Sequence, residues 1–220
     1  MKSFKRNRYL FIALAFLLSA CGGGGSDSGI PGNSNTPTHT ANYYPVTVGS
    51  KWTYSITSAN STPSTWSSEI TQGGAASYSM KITTASSGYS VIDAALTNGA
   101  WGVTKSVSYD PSGAVLSTIT YSPPQLLFPS KTDIGTHETT TSTLTSGGNN
   151  SQATIDITVD GIESVTVPAG TFANALKLTS KTTMSGSTAS VSAWYADGAG
   201  FVKSEDTYGG TQELTSYTIR

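Results

Sequence analysis

The chain has 220 residues, with 12 lysines and arginines against 13 aspartates and glutamates, and one cysteine, Cys21. Four basic residues precede Cys21, so the later part keeps eight basic against 13 acidic residues, a formal charge of −5. Nucleic-acid binding needs clustered Lys and Arg, and this balance argues against a nucleic-acid partner. Because one cysteine forms no intrachain disulfide, the fold must depend on a packed core, and about 180 residues suffice for one.

Residues 1–20 run from basic through apolar to small side chains, which is the order of an export signal. The apolar run from Tyr9 to Leu18 is short, because a membrane-spanning helix needs about 20 apolar residues. Residues 1–20 are therefore predicted to be a signal peptide. The less favoured alternatives are an uncleaved anchor and an ordinary cleaved signal that leaves a free thiol.

The tetrapeptide Leu18-Ser19-Ala20-Cys21 resembles the lipobox of bacterial lipoproteins. The resemblance implies cleavage before Cys21, diacylglycerol on its thiol, and acylation of the new amino terminus by a chain such as palmitate. In enterobacterial lipoproteins an Asp directly after the acylated cysteine favours inner-membrane retention. Gly22 stands at that position here, so the resemblance points to the outer membrane.

Residues 21–41 begin with Cys21 and continue as a run rich in Gly, Ser, Asn, Pro and Thr. Such a composition cannot bury enough apolar area to offset the entropy of ordering the chain. We therefore expect a lipidated cysteine followed by a flexible tether. A flexible chain of this length has an end-to-end distance of about 25 Å, which holds the following domain clear of the lipid headgroups.

From Lys51 onward, apolar and polar residues alternate with a period of two, as in antiparallel strands with one wet face. Three of these runs put apolar side chains on one face: Trp52, Tyr54 and Ile56; Tyr78, Met80 and Ile82; and Ile155, Ile157 and Val159. Strands and turns recur roughly every ten residues, which predicts an all-β domain. We expect residues 42–220 to form an antiparallel, strongly curved sheet, or an open or half barrel, of about 10–13 strands.

Short runs of turn-forming residues predict the chain reversals. They are Asn98-Gly99, Asp110-Pro-Ser-Gly113, Gly147-Gly148-Asn149-Asn150, Asp160-Gly161 and Gly209-Gly210. Residues 122–129 contain three prolines, and proline lacks the N–H that a central strand needs. This segment is predicted to be a crossover outside the sheet, with Leu126, Leu127 and Phe128 capping an open end as a short helical turn.

Two segments carry a family resemblance. The first has the pattern Tyr-Pro-x-x-x-Gly-x-x-Trp-x-Tyr, and the second contains VTVPAGTF from Val165 and WYADGAGFVKSE from Trp194. The first pattern is formed by Tyr44, Pro45, Gly49, Trp52 and Tyr54. Both segments resemble bacterial envelope lipoproteins and periplasmic families of unknown function. The resemblance implies a shared fold, related to the half-barrels of periplasmic lipoprotein carriers, and no particular activity.

Candidate catalytic groups are few. His39 lies in the tether, so His137 is the one histidine of the predicted domain, and no Gly-x-Ser-x-Gly elbow accompanies it. Two acidic groups lie near predicted turns, one of Asp156, Asp160 and Glu163, the other of Asp197, Glu205 and Asp206. They lack the spacing of a calcium loop and are interpreted as solvated turn residues, with calcium binding or a carboxylate-pair glycosidase as alternatives. The sequence predicts no catalytic residue, metal site or cofactor.

The favoured hypothesis is a non-enzymatic, lipid-anchored envelope protein that binds or carries an apolar or envelope ligand. Its candidate ligand site is an aromatic concavity formed by Trp52, Tyr54, Trp101, Trp194 and Tyr195. The alternative is a surface adhesion protein that recognises polysaccharide or protein, and a hydrolase is the least favoured class. The predicted location is the cell envelope, at the outer membrane, with the bilayer as partner through the acyl chains.

Overall fold

A computed structural model describes residues 41–58, 62–84 and 88–220. These residues form β-strands, turns and loops, and none of them lies in a helix that could cross a membrane. The predicted signal peptide, the predicted lipidation site Cys21, His39 and almost all of the predicted tether lie outside the described residues.

The described part of the chain contains 12 antiparallel strands, each paired with the next in sequence. They are β1 (Lys51–Thr57), β2 (Ser64–Gly73), β3 (Ser77–Thr84), β4 (Gly88–Thr97), β5 (Ala100–Tyr109), β6 (Val115–Phe128), β7 (His137–Ser146), β8 (Asn149–Val167), β9 (Gly170–Met184), β10 (Ser187–Ala196), β11 (Gly200–Asp206) and β12 (Thr211–Thr218). Strand β1 also pairs with β12, from Lys51 opposite Thr218 to Thr57 opposite Thr211, and this pairing closes the barrel.

The predicted all-β antiparallel fold of 10–13 strands is confirmed, and the sheet closes completely instead of remaining a half barrel. Every strand of the closed ring lies between Lys51 and Thr218. A chain of residues 41–220 therefore contains the whole hydrogen-bonded barrel, because β1 and β12 satisfy each other's edges.

Alternation along the strands places the predicted apolar residues inside. On β1, Trp52 and Tyr54 are 5% and 2% exposed, whereas Lys51 between the turn and Trp52 is exposed. On β8, Ile155, Ile157 and Val159 are buried in the same way. Burial of each such side chain contributes about 1.5–3 kcal/mol relative to exposure, so the interior face holds the barrel together.

Most of the predicted turns are confirmed. Asn98 and Gly99 both adopt positive φ between β4 and β5, which is the backbone of a two-residue hairpin turn. Between β5 and β6, the Gly113 N–H donates to the Asp110 carbonyl at 3.0 Å. Gly147-Gly148 and Gly209-Gly210 also lie at the reversals β7–β8 and β11–β12, whereas Asn149 and Asn150 already belong to β8.

The predicted hairpin at Asp160-Gly161 is wrong. These residues lie inside β8, a single strand of 19 residues, where the register with β9 shifts between Val159 and Gly161. The extra residue, Asp160, forms a bulge, and its Oδ2 accepts a hydrogen bond from Thr179 Oγ1 at 2.6 Å. A bulge and a tight turn both favour Asp-Gly, so the composition did not distinguish them.

The predicted crossover at residues 122–129 is also wrong, because Leu126, Leu127 and Phe128 belong to β6. Strand β6 pairs with β5 up to Thr120 and again from Gln125, and the two prolines at 123 and 124 lie in the irregular stretch between. On the other side, β6 pairs with β7 only over residues 120–122. Prolines are tolerated here because neither neighbouring strand needs an N–H from them.

The two barrel ends carry different segments. Because all pairs are antiparallel, β1 starts at the same end where β10 finishes and β11 begins, and residues 41–50 lie there. We call this the amino-terminal end. The Asn42 N–H donates to Asp197 Oδ1 at 2.7 Å, and the Asn42 carbonyl accepts from the Gly198 N–H at 2.9 Å. These bonds fasten the segment that follows the predicted tether across the end of the barrel.

Candidate functional site: the barrel interior

A cavity of about 190 Å³ lies in the barrel interior. Aromatic and aliphatic side chains dominate its lining, and no Asp, Glu, Lys, Arg or His is among the described residues that line it. The aromatic members are Tyr44, Trp52, Tyr54, Trp66, Tyr78, Tyr121, Tyr195 and Phe201. An apolar cavity of about 150 Å³ is enough to bind benzene, so this space fits a small apolar molecule.

An aromatic plug closes the amino-terminal end of the barrel. It consists of Tyr44, Tyr78, Trp101, Phe128 and Tyr195, contributed by the segment before β1 and by four strands. The Tyr44 ring lies 5.0 Å from Phe128 and 6.1 to 6.2 Å from the other three, measured between centroids. Tilted ring pairs at these distances each add about 0.5–1.5 kcal/mol beyond area burial.

Protein acceptors bind the polar tips of several of these rings. Trp52 Nε1 donates to the Ala199 carbonyl at 2.6 Å, and the Tyr54 hydroxyl donates to the Phe201 carbonyl at 3.0 Å. The hydroxyls of Tyr44 and Tyr78 lie 2.6 Å apart and share a hydrogen bond. The rings therefore present their apolar faces to the cavity while their polar atoms are satisfied elsewhere.

Burial makes these tyrosines weaker acids than a solvent-exposed tyrosine. Desolvation raises the pKa of Tyr54 well above its ordinary value, and it also raises the pKa of Tyr78 and Tyr195. Desolvation raises the pKa of Tyr121 to about 12. All four side chains are therefore neutral at physiological pH, and the cavity wall carries no charge from them.

Gln125 is the one carboxamide among the described residues that line the cavity. It is 5% exposed, and its Nε2 has no hydrogen-bond acceptor among the described residues. Its position follows from β5: Gly102 has no side chain, and a Cβ there would lie only 2.8 Å from Pro124 Cβ. This close approach lets β6 rejoin β5 at Gln125, opposite Val103.

The five predicted ligand residues separate into three groups. Trp52, Tyr54 and Tyr195 line the cavity, whereas Trp101 belongs to the plug and contacts Tyr78 at 5.1 Å between ring centroids. Trp194 lies away from the cavity: its Nε1 donates to Glu163 Oε1 at 2.6 Å. The ammonium groups of Lys177 and Lys203 lie 5.0 and 5.5 Å from the Trp194 ring centroid.

Sequence reasoning missed Gln125, Tyr44 and Tyr78 as site residues. The signal for Tyr78 was present, since the alternation with Met80 and Ile82 already placed it inside. Gln125 gave a weaker signal, as one polar residue before the apolar run Leu126–Phe128. Tyr44 precedes the first strand, and periodicity carries no information outside strands.

The candidate catalytic and metal residues do not assemble. His137 lies on the outer face at the start of β7, with a side chain 57% exposed and Nε2 3.7 Å from Asp156 Oδ1. Asp197 accepts from the Asn42 backbone, and Asp206 accepts from the Gly210 N–H within its own turn. Within residues 41–58, 62–84 and 88–220, no three His, Cys, Asp or Glu side chains are grouped for a metal ion.

Fold and site together define a closed antiparallel β-barrel with an apolar, aromatic-lined interior. Residues 47–219 match the DUF3108-like family, and the chain therefore belongs to this family. A search of curated proteins finds no match. A crystal structure of a candidate lipoprotein from Parabacteroides distasonis is similar over 82% of this chain and 100% of that one, with 16% sequence identity and a TM-score of 0.45.

Proposed function

We propose that this protein is a lipid-anchored envelope protein whose barrel binds a small apolar molecule in its interior. The observation that carries the proposal is the cavity of about 190 Å³, lined by aromatic and aliphatic side chains without a charged one among the described residues. Apolar cavities of this kind are the common form of small-molecule sites. The lipid anchor rests on the lipobox resemblance at Cys21.

A binding role fits the described chemistry better than catalysis. The polar tips of Trp52 and Tyr54 are bound to backbone carbonyls, and the lining tyrosines are neutral at physiological pH. His137 lies on the outer face and not in the cavity lining. A general acid or base must lie within reach of the reacting group, and His137 does not lie in the cavity. The cavity instead provides apolar side chains for contact with an apolar ligand.

Calorimetric titration of residues 41–220 with n-butylbenzene tests the proposal. We expect one molecule bound per barrel, with the negative heat-capacity change that accompanies burial of apolar surface. Ala193 lines the cavity, and an Ala193→Leu substitution fills part of it with three carbons. At about 0.8 kcal/mol per CH₂ of lost ligand contact, affinity should fall by tenfold or more.

Ala173→Leu provides the matched control. Ala173 is exposed on β9, so this substitution makes the same chemical change outside the cavity. This variant should bind n-butylbenzene like the unchanged protein. Absence of binding to the unchanged protein, or equal affinity for both leucine variants, would contradict an interior site.

A further inference from the structure

The Gln125 carboxamide stands out in the cavity lining. Its neighbours in sequence, Leu126 and Leu127, also line the cavity and are apolar. Gln125 is 5% exposed, yet its Nε2 has no acceptor among the described residues. An unpaired buried amide costs about 1–3 kcal/mol, whereas methionine or leucine would fill the same space without that cost.

The strands hold Gln125 in place. Gln125 pairs with Val103, which also lines the cavity, and the next residue, Leu126, pairs with Gly102. Since a Cβ at Gly102 would lie 2.8 Å from Pro124 Cβ, the contact between β5 and β6 is tight. Withdrawal of the carboxamide to solvent would require this part of β6 to leave the barrel, so the donor stays inside.

Apart from Gln125 and the indole N–H groups of Trp52 and Trp66, which donate to protein acceptors, the polar side chains of the described lining carry hydroxyls. Ser68, Ser106 and Ser204 are each less than 5% exposed and line the same cavity. No ionised group is present among the described lining residues to pair with a charged ligand. Burial of an unpaired carboxylate or ammonium is far more costly than burial of a neutral carbonyl, so the buried part of a ligand must be neutral.

We propose that the ligand of this cavity is an apolar molecule with a neutral hydrogen-bond acceptor, such as an ester, amide or ketone carbonyl, which accepts from Gln125 Nε2. The aromatic part of the wall contacts the apolar remainder of the ligand. This inference rests on the proposed interior site and names the chemical class of what enters it. It excludes plain hydrocarbons and buried ionised groups as the preferred ligands.

Two isosteric probes test the proposal on residues 41–220, which contain the whole barrel. Butyrophenone has a carbonyl group where n-butylbenzene has its benzylic CH₂, so the change in their affinity ratio on substitution of Gln125 isolates the acceptor. In Gln125→Met the preference for butyrophenone over n-butylbenzene should fall by about two- to tenfold, as expected for one hydrogen bond. Binding of n-butylbenzene should persist in this variant, which would show that the cavity is intact.

Gln72→Met is the matched control, because Gln72 is exposed on β2, and it should leave the ratio unchanged. A second measurement needs no variant: the infrared carbonyl band of bound butyrophenone should lie at lower wavenumber than in hexane. A band at the hexane position, or an equal ratio in Gln125→Met and the unchanged protein, would overturn the assignment of Gln125. If neither probe binds at all, the interior site itself fails and this inference falls with it.

Discussion

Aromatic side chains of the barrel interior combine a large apolar ring with one polar tip. For Trp52 and Tyr54 the tip is bound to carbonyls of residues 199 and 201. These two carbonyls lie in the turn and strand that follow Trp194. The segment from Tyr44 to Tyr54 and the segment that begins at Trp194, which both resemble envelope lipoproteins, are therefore in direct contact. Gly200 permits the contact, since a Cβ there would lie 3.1 Å from Pro45 Cδ.

Tyrosine burial predicts a loss of stability at alkaline pH. The pKa of Tyr78 is raised in the folded state by desolvation, whereas the unfolded chain ionises near pH 10. Above that pH the unfolded state binds fewer protons, so the free energy of unfolding falls as pH rises. Each such tyrosine contributes up to about 1.4 kcal/mol per pH unit to this slope.

Urea unfolding between pH 9 and 11.5 measures the slope. In Tyr78→Phe the decline should be shallower, even though the variant also loses the 2.6 Å hydrogen bond to Tyr44 and is less stable overall. Tyr208→Phe is the control, because Tyr208 is 67% exposed and should leave the slope unchanged. An identical slope in Tyr78→Phe and the unchanged protein would contradict the burial argument.

At the scale of strands, the contact between β5 and β6 determines the shape of the cavity wall. Gly102→Ala would place a Cβ 2.8 Å from Pro124 Cβ, so the strands must separate locally. We expect a loss of about 1–3 kcal/mol in the free energy of unfolding, as for other overpacked sites. Gly161→Ala on β8 is the control, because nothing lies within 4 Å of a Cβ there.

Urea denaturation of both variants measures the difference. Gly161→Ala should be neutral or slightly stabilising, since alanine restricts the unfolded chain more than glycine does. Equal stability of the two alanine variants would mean that β5 and β6 are not in tight contact at Gly102.

Alternation was the reliable signal for the strands. It placed Trp52, Tyr54 and Tyr78 inside correctly, because a period of two follows directly from strand geometry. Proline and Asp-Gly signals were less reliable. Proline marks a position without a hydrogen-bonded N–H, and Asp-Gly marks an irregular backbone. Both also occur at a bulge or irregular stretch inside a strand, and not only in a turn.

The candidate site was predicted only in part for a related reason. Trp194 and Tyr195 are adjacent on β10, and successive side chains of a strand point to opposite faces, so the two aromatics could not both line one concavity. The Tyr195 side chain lines the cavity, whereas Trp194 donates a hydrogen bond to Glu163, which forms an ion pair with Lys177. The weak signal of Gln125 could not be interpreted from the sequence, because the role of this residue depends on which partners surround it.

At the scale of the whole molecule, barrel closure creates the interior that holds the cavity. Strands β1 and β12 pair over seven positions, and the ring leaves a space that the side chains do not fill. Where β11 and β12 pair over only three positions, the tip of the β8–β9 hairpin contributes a further bond, from the Ala169 N–H to the Leu214 carbonyl at 2.9 Å. The closed ring of strands therefore surrounds the cavity on its sides.

Native mass spectrometry of residues 41–220, exported to the periplasm of a bacterial host and purified without detergent, tests the central claim most directly. A barrel that binds apolar molecules inside should retain one small neutral molecule per chain, released on collisional activation. Ala193→Leu should carry less of it, and the exposed control Ala173→Leu should carry as much as the unchanged protein. A bare mass for the unchanged protein, both as purified and after incubation with n-butylbenzene, would contradict the account.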